Sequence, residues 1–134
     1  MTDRDTFQSW LTAYGAAWEK LDAEAYLPLF SEDAAYYWTP FEAPHRGHDA
    51  ILAALVDAIA RQGDPSFSAT VIAVEGDIGW AQWSCSFTRK GTDDPVRIEG
   101  VLKAVFRDGK CCEFREWWHA LEPGQGDLMR DIDA

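Results

Sequence analysis

Residues 106–119 read Phe-Arg-Asp-Gly-Lys-Cys-Cys-Glu-Phe-Arg-Glu-Trp-Trp-His and set large rings beside titratable groups. Asp108-Gly109-Lys110 is the chemistry of a tight hairpin, because Gly takes a positive φ without a Cβ clash. The residues after it therefore read as a strand. Alternation puts Phe114, Glu116 and Trp118 on one face and Glu113, Arg115, Trp117 and His119 on the other. A carboxyl sealed among Phe114, Trp118 and Trp83 loses hydration, its pKa rises, and it can pass a proton near neutral pH. Glu116 is thus the first candidate acid or base. The alternative is an ion pair of Glu116 with Arg115 or Arg97 at the sheet edge.

Tyr14 and His45 complete the candidate catalytic set. Tyr14 lies on the apolar face of the first helix, where its hydroxyl is either a hydrogen-bond donor to a ligand or a core group satisfied by backbone. His45 sits on a loop before the third helix; such loops reach over ligands, or leave a histidine in solvent. Trp38, Trp83 and Phe87 are candidate walls of a cavity, since Ala81, Trp83, Cys85 and Phe87 share one strand face while Ser84, Ser86 and Thr88 share the other. Trp18, on the helix face of Tyr14, joins Phe114 and Trp118 in the ligand-binding set. A pocket so lined favours a flat apolar or aromatic small molecule; the same rings can also pack on one another with no ligand. His48 reads as a solvated residue at a helix start, and Lys103 as pointing outward. Cys111, Cys112 and His119 make a poor metal set, because adjacent strand residues point to opposite faces. No metal and no cofactor is expected.

The elements that must position these groups follow from periodicity. Phe7, Trp10, Leu11, Tyr14, Trp18 and Leu21 recur at the spacing of one helical face, which predicts an amphipathic helix over residues 5–20. Asp22 reads as the N-cap of a shorter helix through Phe30, disturbed by Pro28 into a kink or a 3₁₀ turn. Residues 34–38 have strand character, and residues 40–47, with two prolines and a glycine, read as a loop. Ile51, Leu52, Leu55, Val56 and Ile59 mark a third helix that begins near His48 or Asp49 and is ended by Gly63 and Pro65. Period two then takes over, and residues 66–75, 79–89, 96–107 and 110–120 form an antiparallel meander. Residues 123–134 read as a loose tail. The outcome is an α+β domain whose meander curls into a cone around the helices.

With 134 residues the chain is one domain, 1–134, with its core over about 5–120. Seven Trp, seven Phe and four Tyr are many for this length and suit a cavity or an interface. Against 12 Lys and Arg stand 23 Asp and Glu, a net charge of −11 that repels phosphate backbones and anionic lipid surfaces. Nucleic acid and membrane are therefore not expected partners. The acidic start, without a signal peptide, and the lack of any apolar run near the roughly 20 residues a bilayer needs place the protein in the cytoplasm. Three cysteines are a poor disulfide framework and read as reduced thiols. A sheet face bearing Trp80, Trp117 and Val101 is too apolar to stay wet, which predicts an isologous homodimer through the sheets.

Leu29-Phe30-Ser31-Glu32-Asp33-Ala34, Arg46-Gly47-His48-Asp49-Ala50-Ile51 and Arg107-Asp108-Gly109-Lys110 with Phe114-Arg115-Glu116-Trp117-Trp118 resemble, in order and spacing, the SnoaL-like branch of the nuclear transport factor 2-like superfamily. The likeness covers about residues 5–120 and implies the cone-shaped fold. It also implies an acidic residue acting as acid and base at Glu116, seven positions past the hairpin glycine, as in SnoaL-like polyketide cyclases. Ketosteroid isomerases, which the chain resembles distantly, have an oxyanion-hole tyrosine at the place of Tyr14. Trp38 stands where their base would be, and the strand around Leu102-Lys103 has no acid to partner Tyr14. The arginine with paired aspartates of epoxide hydrolases on this fold is not evident. The resemblance implies small-molecule binding with acid/base catalysis of isomerase, lyase or cyclase type. Because the superfamily spans many reactions, a non-catalytic ligand-binding module and a protein-interaction module are the alternatives.

Overall fold

A computed structural model describes residues 2–124. The chain opens with α1 (Arg4–Glu19), whose N-cap Asp3 accepts a 2.7 Å hydrogen bond from the Thr6 amide and whose first turn carries Asp5. A 3₁₀ helix (Ala23–Leu29) follows, capped by Asp22, and with Pro28 in its last turn the whole segment takes the tighter helix. Next come β1 (Phe30–Tyr37), β2 (His45–Arg46) and α2 (Gly47–Ile59). Four long strands complete the fold: β3 (Gln62–Glu75), β4 (Ile78–Arg89), β5 (Pro95–Arg107) and β6 (Lys110–Leu121).

The strands form one mixed, curved sheet in the order β2-β1-β6-β5-β4-β3. It stays unclosed, with β2 and β3 as its edges. Every neighbouring pair is antiparallel except β1 and β6, which run parallel through Phe30 opposite Cys111 and Tyr36 opposite Phe114. The hairpin between β5 and β6 is made as its sequence requires, with positive φ at both Asp108 (54°) and Gly109 (80°). Three α- and 3₁₀-helical segments lie ahead of the meander, and the α+β cone of the sequence reading is the observed architecture.

Three boundaries differ from expectation. β1 starts at Phe30 rather than residue 34, because Phe30 already pairs with Cys111 of β6, ahead of a register shift that carries the polar run Ser31-Glu32-Asp33 to the next pair at Ala35. The expected loop before α2 contains β2, a two-residue pairing of His45 and Arg46 with β1. Gly63 and Pro65, read as helix terminators, lie inside β3. They sit on an edge strand at a register shift, where proline does no harm. The tail expected over 123–134 lies, from residue 125 on, outside the described residues.

The core fills the concave side of the sheet. Phe7, Trp10, Leu11 and Tyr14 of α1 meet Phe106 and Phe114 of β5 and β6, with Phe114 stacked on Tyr14 at 5.3 Å and edge-on to Tyr36 at 4.9 Å. At Gly100 of β5 the sheet is unusually close. A Cβ there would strike the Trp117 carbonyl and lie 2.8 Å from Trp118 Cα, so only glycine fits. Gly100 stands between Trp83 of β4 and Trp118 of β6 in one row across the sheet.

Candidate functional site

Between α1, α2 and the concave sheet face lies a cavity of about 140 Å³. Its wall is made by Tyr14 and Trp18 of α1, Tyr26 of the 3₁₀ helix, Tyr36 of β1 with Trp38 just beyond, Leu55, Ala58 and Ile59 of α2, Gln62 of β3, Trp83 of β4, Ile98 of β5, and Glu116 and Trp118 of β6. α1 presents Tyr14 and Trp18 to it because they are one helical turn apart. β6 presents Glu116 and Trp118 because they alternate with the outward Arg115 and Trp117.

Glu116 dominates the electrostatics. Its side chain is 8% exposed, and burial alone lifts its pKa from 4.5 to about 8. No hydrogen bond or ion pair offsets that burial among the described residues. Arg115, on the opposite face, lies 3.7 Å over the Tyr37 ring and bonds Glu113 at 3.3 Å. Arg97 is likewise on the outer side, paired across to Leu121. The sheet-edge ion pair weighed for Glu116 is therefore not formed.

The phenols around it are held neutral. Tyr14 and Tyr36 share a hydrogen bond between their hydroxyls, and both are pushed far above the ordinary tyrosine range, Tyr14 by burial, then Tyr36 and Glu116, and Tyr36 by burial, then Glu116 and Tyr26. Tyr26 is raised in the same way, by burial and then by Glu116. Cys85, behind the wall, is pushed up to about 12 by burial and then by Glu116, so it is an inert thiol at neutral pH. A tyrosine pair contains two hydroxyl protons and consumes one between its members, which leaves one to offer.

The indoles are tied down around the rim. Trp18 Nε1 donates to Gln62 Oε1 at 2.6 Å, and Trp118 Nε1, on a half-exposed ring, donates to the Trp38 carbonyl at 2.7 Å. The Trp83 Nε1 is buried and meets no acceptor among the described residues. Of the residues singled out in the sequence, Glu116, Tyr14, Trp18, Trp38, Trp83 and Trp118 come together on this wall. Phe114 packs behind it against Tyr14 and Tyr36, Phe87 lies against the core without lining the cavity, and His45 stacks edge-on to Trp38 at 4.8 Å, outside the wall. His48 is not the solvated residue expected: it is partly buried and donates from Nε2 to the Phe30 carbonyl at 2.9 Å.

Sequence reasoning missed Tyr26, Tyr36 and Gln62. Tyr36 had a signal, since it alternates with Trp38 and so shares its face. Gln62 and Tyr26 had none, because a 3₁₀ turn and a strand entered through Gly63 and Pro65 give no periodic pattern to read.

A curved, unclosed mixed sheet over helices is the fold of the nuclear transport factor 2-like class of α+β domains. Residues 11–114 match the SnoaL-like domain, and the chain belongs to that family. Among solved structures, a Bacillus subtilis protein named for a suspected isomerase activity superposes with a TM-score of 0.78 at 21% identity, over 89% of this chain and 90% of that one. A Catenulispora acidiphila protein of ketosteroid isomerase-like fold, solved with trimethylamine, gives 0.73 at 19% over 81% and 83%. The epoxide hydrolase/cyclase-like enzyme SalBIII, which acts in pyran ring formation in the polyether salinomycin, gives 0.77 at 16% over 89% and 95%. At these identities the likeness is one of fold. Comparison with curated proteins gives no match. No helix among the described residues is long and apolar enough to cross a membrane.

Proposed function

We propose that the chain binds a small molecule in the cavity and moves a proton on it, in a reaction of isomerase, lyase or cyclase type. The observation that carries this reading is the Glu116 carboxyl, buried without a partner among the described residues and held near pKa 8 at the wall of a cavity. A group with that pKa is a proton donor at neutral pH and a base just above it, which is the range in which acid/base catalysis is efficient. The Tyr14 and Tyr36 hydroxyls supply a neutral donor in the same cavity, suited to an oxygen on which negative charge develops. His45, which touches the cavity only through Trp38, is a rim group in this reading.

The test starts with a thermal-shift screen of small planar compounds, since binding to the folded state raises the melting temperature. Hits are then followed for turnover. Wild type converts a hit and Glu116→Gln, which keeps shape and deletes the transferable proton, is slower by about 10²-fold or more with little change in affinity. Hits that stabilise both proteins equally and are never converted leave the non-catalytic binding module, a reading favoured by the predominance of rings and aliphatic side chains on the wall. The three free thiols suit a reducing compartment, the cytoplasm. The outer sheet face suits a homodimer.

A further inference from the structure

Rings make up most of the cavity wall, and Glu116 is its one ionisable carboxyl; no Lys, Arg or His lines it among the described residues. A neutral apolar ligand needs the rings and gains nothing from a buried acid. An anion finds no counter-charge among the described residues of this wall. A cation uses both, because aromatic faces attract positive charge and a carboxylate balances it.

We propose that the ligand carries a small alkyl-substituted ammonium group, seated among Tyr14, Trp18, Trp83 and Trp118 with the Glu116 carboxylate as counter-ion. This deepens the reading of the cavity as a small-molecule site and rests on it. Size agrees: a void of roughly 150 Å³ takes a benzene-sized molecule, and about 140 Å³ is present here. Trp118 lines the cavity and is half-exposed, which gives a longer arm a way outward past its ring. A chain of net charge −11 raises the local concentration of cations.

The groups facing Glu116 are Tyr14 from α1, Tyr26 from the 3₁₀ helix, Tyr36 from β1 and Cys85 from β4, and burial raises the pKa of every one of them. α2, β3 and β5 contribute no ionisable side chain to the wall. In the empty cavity Glu116 therefore holds its proton at neutral pH. An entering cation favours the ionised form, so the proton leaves the carboxyl for solvent as the ligand arrives. The ligand thereby turns an acid into a base next to itself.

Choline and its uncharged carbon isostere 3,3-dimethyl-1-butanol test this by titration calorimetry in two buffers of different ionisation enthalpy. Choline binds about tenfold tighter or more, releases close to one proton per site at pH 7, and gains up to about tenfold in affinity per pH unit until pH 8. Glu116→Gln loses the choline preference and keeps the isostere. Because proton release is read on wild type, a poorly folding variant leaves the test intact. Equal or tighter binding of the isostere, without proton release, overturns the cation assignment and leaves the cavity reading standing. No binding of either compound at millimolar concentration overturns the assignment, and if planar neutral compounds also fail to stabilise the protein the cavity reading falls with it.

Discussion

Between about pH 4.5 and 8 the Glu116 carboxyl keeps its proton in the folded chain while the same group in the unfolded chain gives it up. The folded pKa is the raised one, so this residue favours folding below about pH 4.5 and its contribution is lost as pH climbs to about 8. The full span is no more than about 5 kcal/mol. Glu116→Gln deletes the dependence. Its melting temperature relative to wild type should rise steadily from pH 5 to pH 8.5, followed by calorimetry; a difference that stays flat across that range contradicts the burial of an unpaired carboxyl. In catalysis the sign differs with role: a base role for Glu116 gives a kcat/KM that rises through about pH 8, and an acid role one that falls there. The orientation of Glu116 was legible in the sequence from its alternation with Phe114 and Trp118 beyond the register shift at Cys112, which counting by twos from the Asp108-Gly109 turn would not have crossed correctly. The hydroxyl pair of Tyr14 and Tyr36 was not legible, since it joins a helix to a parallel strand and no local pattern reports a contact across 22 positions.

Among the elements, the row Trp83, Gly100, Trp118 shows how the sheet is shaped around the site. Gly100→Ala drives a methyl into the β6 backbone at Trp117 and Trp118, and should cost about 2 kcal/mol or more of stability in urea titrations. It should also weaken any ligand that stabilises the wild type, because Trp118 and its bond to Trp38 move. An Ala variant as stable as wild type contradicts the close approach. Trp83→Ala, at a ring 2% exposed, should cost about 3–5 kcal/mol and enlarge the cavity. Its effect on a substrate should fall on KM rather than kcat, since apolar contact is made alike in ground and transition states. β4, β5 and β6 were legible to within a residue or two because their alternation runs on for most of their length and their turns carry glycine, while β3 starts four residues before its expected beginning, at a register shift. β1, β2 and the 3₁₀ helix were less so: their boundaries are set by partners far along the chain or by Pro28, and not by a repeating pattern.

For the whole molecule, the outer face of the sheet carries the stacked pair Trp80 and Trp117, centroids 6.1 Å apart, with Lys103 Nζ 5.8 Å from the Trp80 ring and Trp117 40% exposed. Such a face is expected to pair with its own copy. Light scattering should then give twice the 15.1 kDa chain mass at micromolar concentration, and Trp117→Glu should return it to one; a wild type of single mass removes the dimer. The fold itself was legible because three short motifs recur in one order along the chain. The ligand was not, because the lining joins residues from elements far apart in the chain and only placed side chains bring it together.

The one parallel pairing in the sheet also bears on how the molecule comes into being. β3 to β6 join through short turns and can zip locally, but β1 must wait for β6, and Trp38 is 80 positions from its partner Trp118. Closing so long a loop costs chain entropy before any contact repays it, so this docking belongs late on the folding route. β1 and β6, side by side in the sheet, both line the cavity. Ligand binding and the last step of folding are therefore expected to be one event seen from two sides, with a ligand slowing unfolding far more than it speeds folding in stopped-flow chevrons.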